Sequence, residues 1–284
     1  MFLIVGASGF VGNKLYIYFK NKGQDVKGTY YLKTFEDGIY LNLNEADFSR
    51  ILELKNLTHI FLCNGITNID ECKINREVSY RINVINTIKL LENFIEKNVV
   101  SVYLSTDMVY KGDIKFYKES NGVSPITEYG RQKVEVENYI MKTFKRYIIL
   151  RLTKIFGIEK DDKTLFTSWL ELLRGKKTIF SADDVFISPI FIMDVVHSLD
   201  RLVSGRHYGI FNLGGCELLT RYELSKRLAN FFGYDLSLIQ RKSIKSFGFV
   251  EPRPLFSSVD SSKIIELTGT KLTPLENCFK LMVK

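Results

Sequence analysis

The 284-residue chain has 40 basic and 32 acidic side chains, a formal net charge of +8, and 45% hydrophobic residues. This composition is that of an ordinary globular protein, and it excludes a long disordered chain. The positive charge suits an anionic partner such as nucleic acid, a membrane surface or a phosphorylated small molecule. The basic residues are scattered singly or in short groups, without the long like-charge runs of nucleic-acid-binding tails, so we expect no nucleic-acid partner.

The cysteines and histidines give no sign of a metal site. The four cysteines contain no C-x-x-C pair, and with the three histidines they show no metal-ligand spacing. We predict reduced thiols, as in a cytoplasmic protein. The N-terminus, MFLIVGASG, has no basic region before its short apolar run, and no apolar run reaches the roughly 18 residues that span a bilayer. The chain is therefore predicted to be neither exported nor membrane-embedded.

Short apolar runs alternate with amphipathic segments through the first half of the chain. The runs lie at residues 2–5, 26–31, 59–63, 99–105 and 147–152, and each is typical of a buried parallel strand. The intervening segments at 11–21, 83–96 and 128–144 space their apolar residues three and four apart, as connecting helices do. This alternation predicts an α/β fold with a doubly wound parallel sheet of the Rossmann type.

A glycine-rich loop follows the first predicted strand. Gly6, Gly9 and Gly12 have G-x-x-G-x-x-G spacing and directly precede the first predicted helix. In such a loop the first glycine permits a tight turn, the second lets a pyrophosphate approach the backbone, and the third lets helix and strand pack closely. Because strand, loop, helix and strand occur in this order, the spacing predicts dinucleotide binding.

The second half of the chain has fewer strand-like runs. Its predicted elements are helices at 165–173, 193–203 and 221–232 and a strand at 209–213. Thr220 and Glu223 form a T-x-x-E capping box before the last helix, which we interpret as structural. We predict an NAD(P)-binding domain over residues 1–155, completed by segments near 190–213. Residues 156–284 are predicted to form a smaller α/β substrate-binding domain.

The end of the second predicted strand bears on the choice of cofactor. An acidic residue at this point usually binds the ribose of NAD, but residues 26–34 contain no carboxylate. Lys27 and Lys33 are the nearby cations, and Lys33 lies beyond the strand end, where a 2′-phosphate would sit. The sequence therefore favours NADPH, with NADH as the alternative.

A tyrosine and a lysine are spaced for acid-base chemistry. Tyr129 and Lys133 are four residues apart, so on a helix they lie on one face. A neighbouring ammonium stabilises a phenolate and so brings the pKa of a tyrosine toward a working value. The preceding strand ends in Ser105, Thr106 and Asp107, at the carboxyl edge where α/β sheets bind ligands. The combination predicts a catalytic site at this edge.

Several segments carry a resemblance to a known family. Through GASGFVG at 6–12, STDMVYKG at 105–112 and SPITEYGRQK at 124–133, the sequence resembles the extended short-chain dehydrogenases/reductases. It is most similar to the dTDP-4-dehydrorhamnose reductase family, whose fold the methionine adenosyltransferase beta subunit shares. The resemblance runs nearly end to end, and includes LRLTKIFG at 150–157 and EPRPLFSSVDSSKI at 251–264.

This resemblance implies roles for named residues. The implied catalytic residues are Thr106, Tyr129 and Lys133. The candidate cofactor-binding residues are Gly6, Ser8, Gly9, Phe10, Val11, Gly12, Tyr30, Lys33, Asn42, Leu43, Cys63, Asn64, Gly65 and Asn83, together with Tyr129 and Lys133. The candidate substrate-binding residues are Thr106, Asp107, Met108, Lys154 and Arg253. Of these, Asn42 and Leu43 would lie near the adenine, and Arg253 would face the substrate diphosphate.

The resemblance also implies a reaction. It is the NADPH-dependent reduction of a nucleotide-activated 4-keto-6-deoxysugar, as in cytoplasmic deoxysugar and polysaccharide biosynthesis. Tyr129 would give a proton to the keto oxygen, Thr106 would hydrogen-bond that oxygen, and Lys133 would hold the nicotinamide ribose and tune Tyr129. The expected partner is a nucleotide-diphosphate sugar, and the candidate assembly is a homodimer.

Two positions depart from the rhamnose-pathway pattern. Met108 stands where the pattern has tyrosine and Lys154 where it has tryptophan, so the reaction class is better supported than the rhamnose product. Met108 also argues against a 4,6-dehydratase, since related dehydratases have a glutamate base there and a thioether is no base. The alternatives are an epimerase of the same fold, a noncatalytic NADP-binding regulatory subunit, and a reductase of a substrate that is not a nucleotide sugar.

Overall fold

The computed structural model describes residues 1–35 and 37–282. Its strands are β1 (Phe2–Val5), β2 (Val26–Tyr30), β3 (Ile39–Tyr40), β4 (His59–Leu62), β5 (Val100–Thr106), β6 (Tyr147–Leu152), β7 (Ile155–Phe156), β8 (Ile179–Ala182), β9 (Phe186–Ile187), β10 (Ile190–Phe191), β11 (Gly209–Leu213), β12 (Leu219–Thr220), β13 (Ile239–Lys242) and β14 (Phe256–Ser257). Its α-helices are α1 (Phe10–Asn21), α2 (Ser49–Leu52), α3 (Ile69–Ile74), α4 (Arg76–Tyr80), α5 (Asn86–Glu92), α6 (Glu128–Thr143), α7 (Leu165–Arg174), α8 (Ile192–Ser204), α9 (Arg221–Phe231), α10 (Ser262–Thr268) and α11 (Leu275–Met282).

Seven parallel strands form the main sheet, in the order β11-β6-β5-β4-β1-β2-β3. Because every strand in it is parallel to its neighbours, all their carboxyl ends meet at one edge. The strand order changes direction between β1 and β4, which is where open α/β sheets bind ligands. The predicted fold class is confirmed, with smaller mixed sheets in the second half of the chain.

The first strand shows why this sheet lies buried. All four residues of β1 are apolar, and successive side chains point to opposite faces of the sheet. Ile4 packs on one face with Leu15 of α1 and Leu199 of α8. Leu3 packs on the other face with Val136 of α6. Helices therefore cover both faces, as the long apolar runs of the sequence predict.

The second half of the chain has its own apolar cluster, which includes Phe166, Trp169 and Phe279. Around it lie the parallel pair β7 and β10, the parallel pair β8 and β13, and the mixed sheet β12-β9-β14. Strand β11 also comes from this half, yet it pairs with β6 as the last strand of the main sheet. The second half thus contributes both to the main sheet and to the smaller layer beside it.

The helix predicted at residues 83–96 is the element that differs most from expectation. In the structure α4 is followed by a π-helical turn, Arg81–Ile85, and then by α5, which ends at Glu92. Asn83 and Asn86 are both buried there. Asn86 Nδ2 donates to the carbonyl of Leu43 over 2.6 Å. Asn83 Oδ1 accepts from the N–H of Ile66, in the loop after β4. A π turn lets both amides face inward, which the apolar spacing did not show.

Candidate active site

The glycine loop after β1 is tightly built. Gly6 has φ of +83°, in the left-handed region that favours glycine. A Cβ on Gly12 would lie 2.2 Å from the Gly6 carbonyl oxygen, so α1 packs directly on the loop. Gly9 is the N-cap of α1 and has no side chain to accept hydrogen bonds from the first turn. The first backbone N–H groups of α1 thus have no side-chain cap, as in sites that bind a phosphate.

The end of β4 lies against this loop. A Cβ on Gly6 would be 3.0 Å from the backbone nitrogen of Asn64. Asn64 Nδ2 donates to Thr87 Oγ1 over 3.1 Å, whereas the buried Asn64 Oδ1 has no hydrogen-bond partner among the described residues. A buried acceptor without a donor is costly, so this atom fits contact with a bound ligand. Burial raises the pKa of the neighbouring Cys63 thiol to about 12, so that thiol is unreactive.

Asn83 holds the loop that follows β4. Its Oδ1 accepts from the Ile66 N–H at 2.8 Å, and its Nδ2 donates to the Ile66 carbonyl at 2.9 Å and to Gln132 Oε1 at 2.8 Å. A Cβ on Gly65 would lie 2.8 Å from Asn83 Oδ1, so only glycine fits beside that amide. Because its amide is fully bonded within the protein, Asn83 positions this loop rather than offering a free group to a ligand.

The residues predicted around the far end of the cofactor follow β2 and β3. Lys33 is exposed and lies three residues beyond the end of β2, while Tyr30 is half-buried. Asn42 is half-buried and donates through Nδ2 to Glu45 Oε1 over 2.7 Å. Leu43 is buried in the core, with its carbonyl bonded to α5. These four residues therefore lie at one end of the same sheet edge.

The start of α1 joins the glycine loop to the second half of the chain. Phe10 and Val11 pack against the apolar cluster around Trp169. Ser8 is half-buried in the loop itself. The side chains of Phe10 and Val11 thus fix the loop to the smaller layer. Any contact of these two residues with a ligand would therefore be made by their backbone.

Thr106, Tyr129 and Lys133 come together at the carboxyl end of β5. All three are buried, with exposed fractions of 8% or less. Thr106 ends β5, and its Oγ1 accepts from the Met108 N–H at 3.2 Å and donates to Asp107 Oδ1 at 3.1 Å. Tyr129 and Lys133 lie one turn apart on α6, with the Lys133 Nζ 5.8 Å from the centre of the Tyr129 ring.

Helix α6 is held close to the turn that follows β5. Thr127 caps the helix by accepting from the Gly130 N–H at 3.1 Å. A Cβ on Gly130 would lie only 2.2 Å from the Met108 carbonyl oxygen. The glycine after Tyr129 is therefore needed for the phenol to lie beside Thr106.

Burial sets the protonation of both helix residues. It raises the pKa of the Tyr129 phenol above its ordinary range, while a hydrogen bond with Thr106 acts in the opposite direction. Burial lowers the pKa of Lys133 to about 8, and its Nζ donates to the Leu104 carbonyl over 2.9 Å. At neutral pH the site thus holds a protonated phenol beside a lysine that titrates close to neutrality. The lowering of the phenol pKa by Lys133 that the four-residue spacing predicts is not found in the structure.

Asp107 and Met108 directly follow Thr106, and Asp107 contacts the second half of the chain. Asp107 is buried, which raises its pKa to about 6, and the Ser257 hydroxyl donates to its Oδ2. Ser257 belongs to β14, so the segment after residue 251 is tied to the end of β5. Met108 is half-buried, and its backbone faces α6.

Lys154 lies between β6 and β7, and Arg253 lies in the segment before β14. The Lys154 side chain keeps an exposed surface, yet the partial loss of water around it and the charge of Arg221 lower its pKa. Arg253 makes a two-pronged ion pair with Asp70, at 3.0 Å for each nitrogen-oxygen pair. Its guanidinium also stacks on Phe249 at 4.0 Å. The charge of Arg253 is therefore offset within the protein.

Sequence reasoning missed three contributors to this region. Ser257 and Arg221 are brought in by elements far along the chain, and no local spacing signals them. The third is the buried ion pair of Glu137 with Arg151, at 2.6 Å, to which Ser105 Oγ donates at 2.5 Å. Glu137 follows Lys133 by one helical turn, so that spacing could have indicated it.

No helix among residues 1–35 and 37–282 combines the length and apolar character needed to cross a membrane. Within the same residues, no group of three or more histidine, cysteine, aspartate or glutamate side chains is placed to hold a metal ion.

Comparisons with known proteins cover the whole chain. The profile described as RmlD substrate binding domain matches residues 1–284. The chain is 25% identical over 283 residues to the probable low-salt glycan biosynthesis reductase Agl14 of Haloferax volcanii, covering 96% of this chain and 94% of that protein. It is 25% identical over 280 residues to methionine adenosyltransferase 2 subunit beta of Xenopus tropicalis, covering 96% and 84%. The fold matches dTDP-4-dehydrorhamnose reductase from Bacillus anthracis in complex with NADP, with a TM-score of 0.86, 20% identity and 99% and 98% coverage.

Proposed function

Because the chain belongs to the RmlD substrate binding domain family, we propose that it is an NAD(P)H-dependent reductase of a nucleotide-activated 4-keto-6-deoxysugar. One observation carries the proposal: a buried threonine, tyrosine and lysine lie together at the carboxyl edge of the main sheet, the same edge that carries the glycine loop. A relative named as a glycan biosynthesis reductase, similar over nearly the whole chain, supports it.

The residues of the cleft fit a nicotinamide dinucleotide. The uncapped first turn of α1 and the unpartnered Asn64 Oδ1 lie at adjoining strand ends, and both offer hydrogen-bonding groups to a ligand. We assign the pyrophosphate to the loop of Gly6, Gly9 and Gly12. The reduced nicotinamide would supply the hydride that reduces the keto carbon. The NADP carried by a structural neighbour supports this cofactor class.

Tyr129 is the proton donor in this proposal. Burial keeps the phenol protonated at neutral pH, so it holds a proton ready for the keto oxygen. Thr106 donates a hydrogen bond to the same oxygen and stabilises the negative charge that develops there. As the proton leaves, the phenolate is stabilised by the Thr106 hydroxyl and by the charge of Lys133.

Lys33 supports NADPH as the preferred cofactor. Its side chain is exposed beyond β2, and residues 26–34 contain no carboxylate that would repel a 2′-phosphate. NADH is the alternative. In the same proposal, residues 1–155 with the region of β11 bind the cofactor, and residues 156–284 bind the sugar nucleotide.

The test is net oxidation of NADPH by the purified protein. A panel of dTDP- and UDP-linked 4-keto-6-deoxyhexoses is supplied, and loss of NADPH absorbance is followed with chromatography of the products. We expect one or more sugars to be reduced with equal consumption of NADPH. An epimerase would interconvert sugars without net oxidation, and a regulatory subunit would bind NADPH without oxidising it. Either of those results would contradict the proposal.

A further inference from the structure

Lys154 and Arg221 are two cations beside the segment 186–191, which contains β9 and β10. The Ile190 N–H donates to the Lys154 carbonyl over 2.9 Å, and Thr220, next to Arg221, pairs with Phe186. Lys154 follows β6, and Arg221 is the first residue of α9. The charge of Arg221 contributes to the lowered pKa of Lys154, so the two side chains influence each other electrostatically. Within residues 1–35 and 37–282, no carboxylate forms an ion pair with either one. Two like charges thus lie near each other and neither is in a salt bridge; the buried Asp107 carboxylate is the anion that acts on Lys154.

Several other buried or half-buried arginines of the protein are paired with carboxylates. Arg253 forms an ion pair with Asp70. The other ion pairs are those of Arg151 with Glu137 and of Arg227 with Glu217. Arg221 is half-buried like these residues, and burial together with the charge of Arg253 lowers its pKa. A partly desolvated guanidinium without a partner is unfavourable, so an anion would stabilise it.

The local structure does not account for Arg221. A cation in the first turn of a helix is disfavoured by the helix dipole. The carboxylate of Glu223 accepts instead from the Thr220 N–H at 2.8 Å and from the Thr220 hydroxyl at 2.9 Å. The guanidinium of Arg221 lies over the ring of the buried Trp169, 5.9 Å from its centre. The ring positions the cation and leaves its charge available.

We propose that Lys154 and Arg221 together bind an anionic group of the substrate. The inference rests on the proposed function, since it concerns the same cleft, and it adds a binding residue outside the motifs at 105–112 and 124–133. A phosphate or carboxylate is the group that accepts charged hydrogen bonds from a guanidinium and an ammonium. A nucleotide sugar offers two sources of it, the diphosphate and an acidic group on the sugar.

The position of Lys154 along the chain favours a substrate that reaches both this lysine and the catalytic group. Lys154 comes two residues after Leu152, which is in register with Thr106 on the neighbouring strand. The carboxylate of Asp107 and the ammonium of Lys154 also influence each other. Arg221 lies farther from the catalytic group, and the charge of Arg253 contributes to its lowered pKa. The cation pair therefore extends from the reacting end of the cleft toward the arginine expected near the diphosphate.

The experiment measures binding without any hydride transfer. The full chain is titrated calorimetrically with UDP, dTDP, their nucleosides, UDP-glucose and UDP-glucuronic acid. The variants are Arg221→Gln and Lys154→Met, and the matched control is Arg174→Gln, which removes an exposed arginine from the last turn of α7. Circular dichroism and the thermal unfolding midpoint of each variant report whether it keeps its fold.

We expect Arg221→Gln to weaken binding of the anionic ligands by about tenfold, the size expected for one charged hydrogen bond. An equal loss for every diphosphate ligand, with nucleosides unaffected, assigns the pair to the diphosphate. A loss confined to UDP-glucuronic acid assigns it to an acidic sugar. Both results support the proposal, with a smaller loss for Lys154→Met.

Three results would overturn the proposal. They are unchanged affinities in both variants, an equal loss in Arg174→Gln, and a wild-type protein that binds none of the charged ligands at millimolar concentration. Because no cofactor is present, this outcome is separate from the turnover test. A protein that oxidises no NADPH can still show the charge-dependent binding, and an active reductase can lack it.

Discussion

The catalytic edge and the region of Lys154 and Arg221 are built in different ways. Thr106, Tyr129 and Lys133 come from the consecutive elements β5 and α6, and backbone contacts hold them in place. Lys154 and Arg221 come from distant elements, and no protein carboxylate of the described residues pairs with them. In the proposed function, the reaction would therefore depend on short-range spacing, and substrate choice on side chains assembled over a long range.

The two regions also differ in how they use charge. At the catalytic edge, the buried ion pair of Glu137 and Arg151 supports the helix that carries Lys133, and Ser105 bonds to the same carboxylate. In the second region, the cations lie where a ligand anion would compensate them. The first region has its charges paired within the protein, and in our proposal the second is completed by a bound anion.

The largest expected effect concerns the catalytic edge. Tyr129→Phe removes the proton donor, so turnover should fall by roughly 100- to 10,000-fold while cofactor affinity stays nearly unchanged. The measurement is steady-state NADPH oxidation together with a cofactor titration. Tyr139→Phe, on the same helix, is the matched control and should keep its activity. Turnover of Tyr129→Phe within a few-fold of wild type would remove Tyr129 from the mechanism.

The next effect concerns the glycine loop. Gly12→Ala places a Cβ 2.2 Å from the Gly6 carbonyl, so the loop must shift away from α1. We expect a loss of about 1–3 kcal/mol in unfolding free energy, together with weaker cofactor binding, because the loop would lose its shape. Chemical denaturation and a cofactor titration measure the two effects. Gly122→Ala, where nothing lies within 4 Å, is the control, and equal behaviour of both variants would refute the packing argument.

Lys133→Met is expected to lower activity and to raise the stability of the fold. Turnover and cofactor affinity should both fall, because in the proposed mechanism the lysine serves both the phenol and the nicotinamide ribose. A rate loss with unchanged cofactor affinity would show that only the electrostatic role is real.

The same substitution should stabilise the fold at neutral pH. The lysine pKa is about 8 in the folded protein against 10.5 ordinarily, so the folded state disfavours the charged form. Wild-type stability is therefore reduced below pH 8 and recovers as the pH rises toward 10.5. Lys133→Met should be more stable at pH 7 by at most about 3 kcal/mol, with the gain shrinking at high pH. Thermal unfolding across pH, with the exposed Lys142→Met as control, checks this; a gain independent of pH would contradict it.

The smallest expected effect is on the relative affinity of the protein for NADPH and NADH. Lys33→Ala should weaken NADPH relative to NADH by about 1 kcal/mol, or roughly fivefold, because the lysine is exposed. Titrations of both cofactors against the wild type and the variant measure the difference, and Lys27→Ala, inside β2, is the control. Equal losses for NADPH and NADH, or a wild-type preference for NADH, would contradict the assignment of Lys33.

The sequence predicted the parts of this protein that depend on local pattern. The apolar strands, the glycine loop and the four-residue spacing of Tyr129 and Lys133 all follow from periodicity within one or two elements. The inward turn at Asn83 was not predicted, because a π turn depends on buried amides finding distant loop partners. The partner of Arg253 and the position of Arg221 depend on how distant segments pack, and no spacing in the chain records that.

Deuterium transfer tests the central claim most directly. The protein is incubated with NADPH deuterated at nicotinamide C4 on the transferred face and with dTDP-4-keto-6-deoxyglucose, and the sugar products are analysed by mass spectrometry. We expect wild-type protein to give a reduced sugar that carries deuterium at C4, and Tyr129→Phe to lose that product. A sugar recovered without deuterium, from protein shown to bind both ligands, would contradict it.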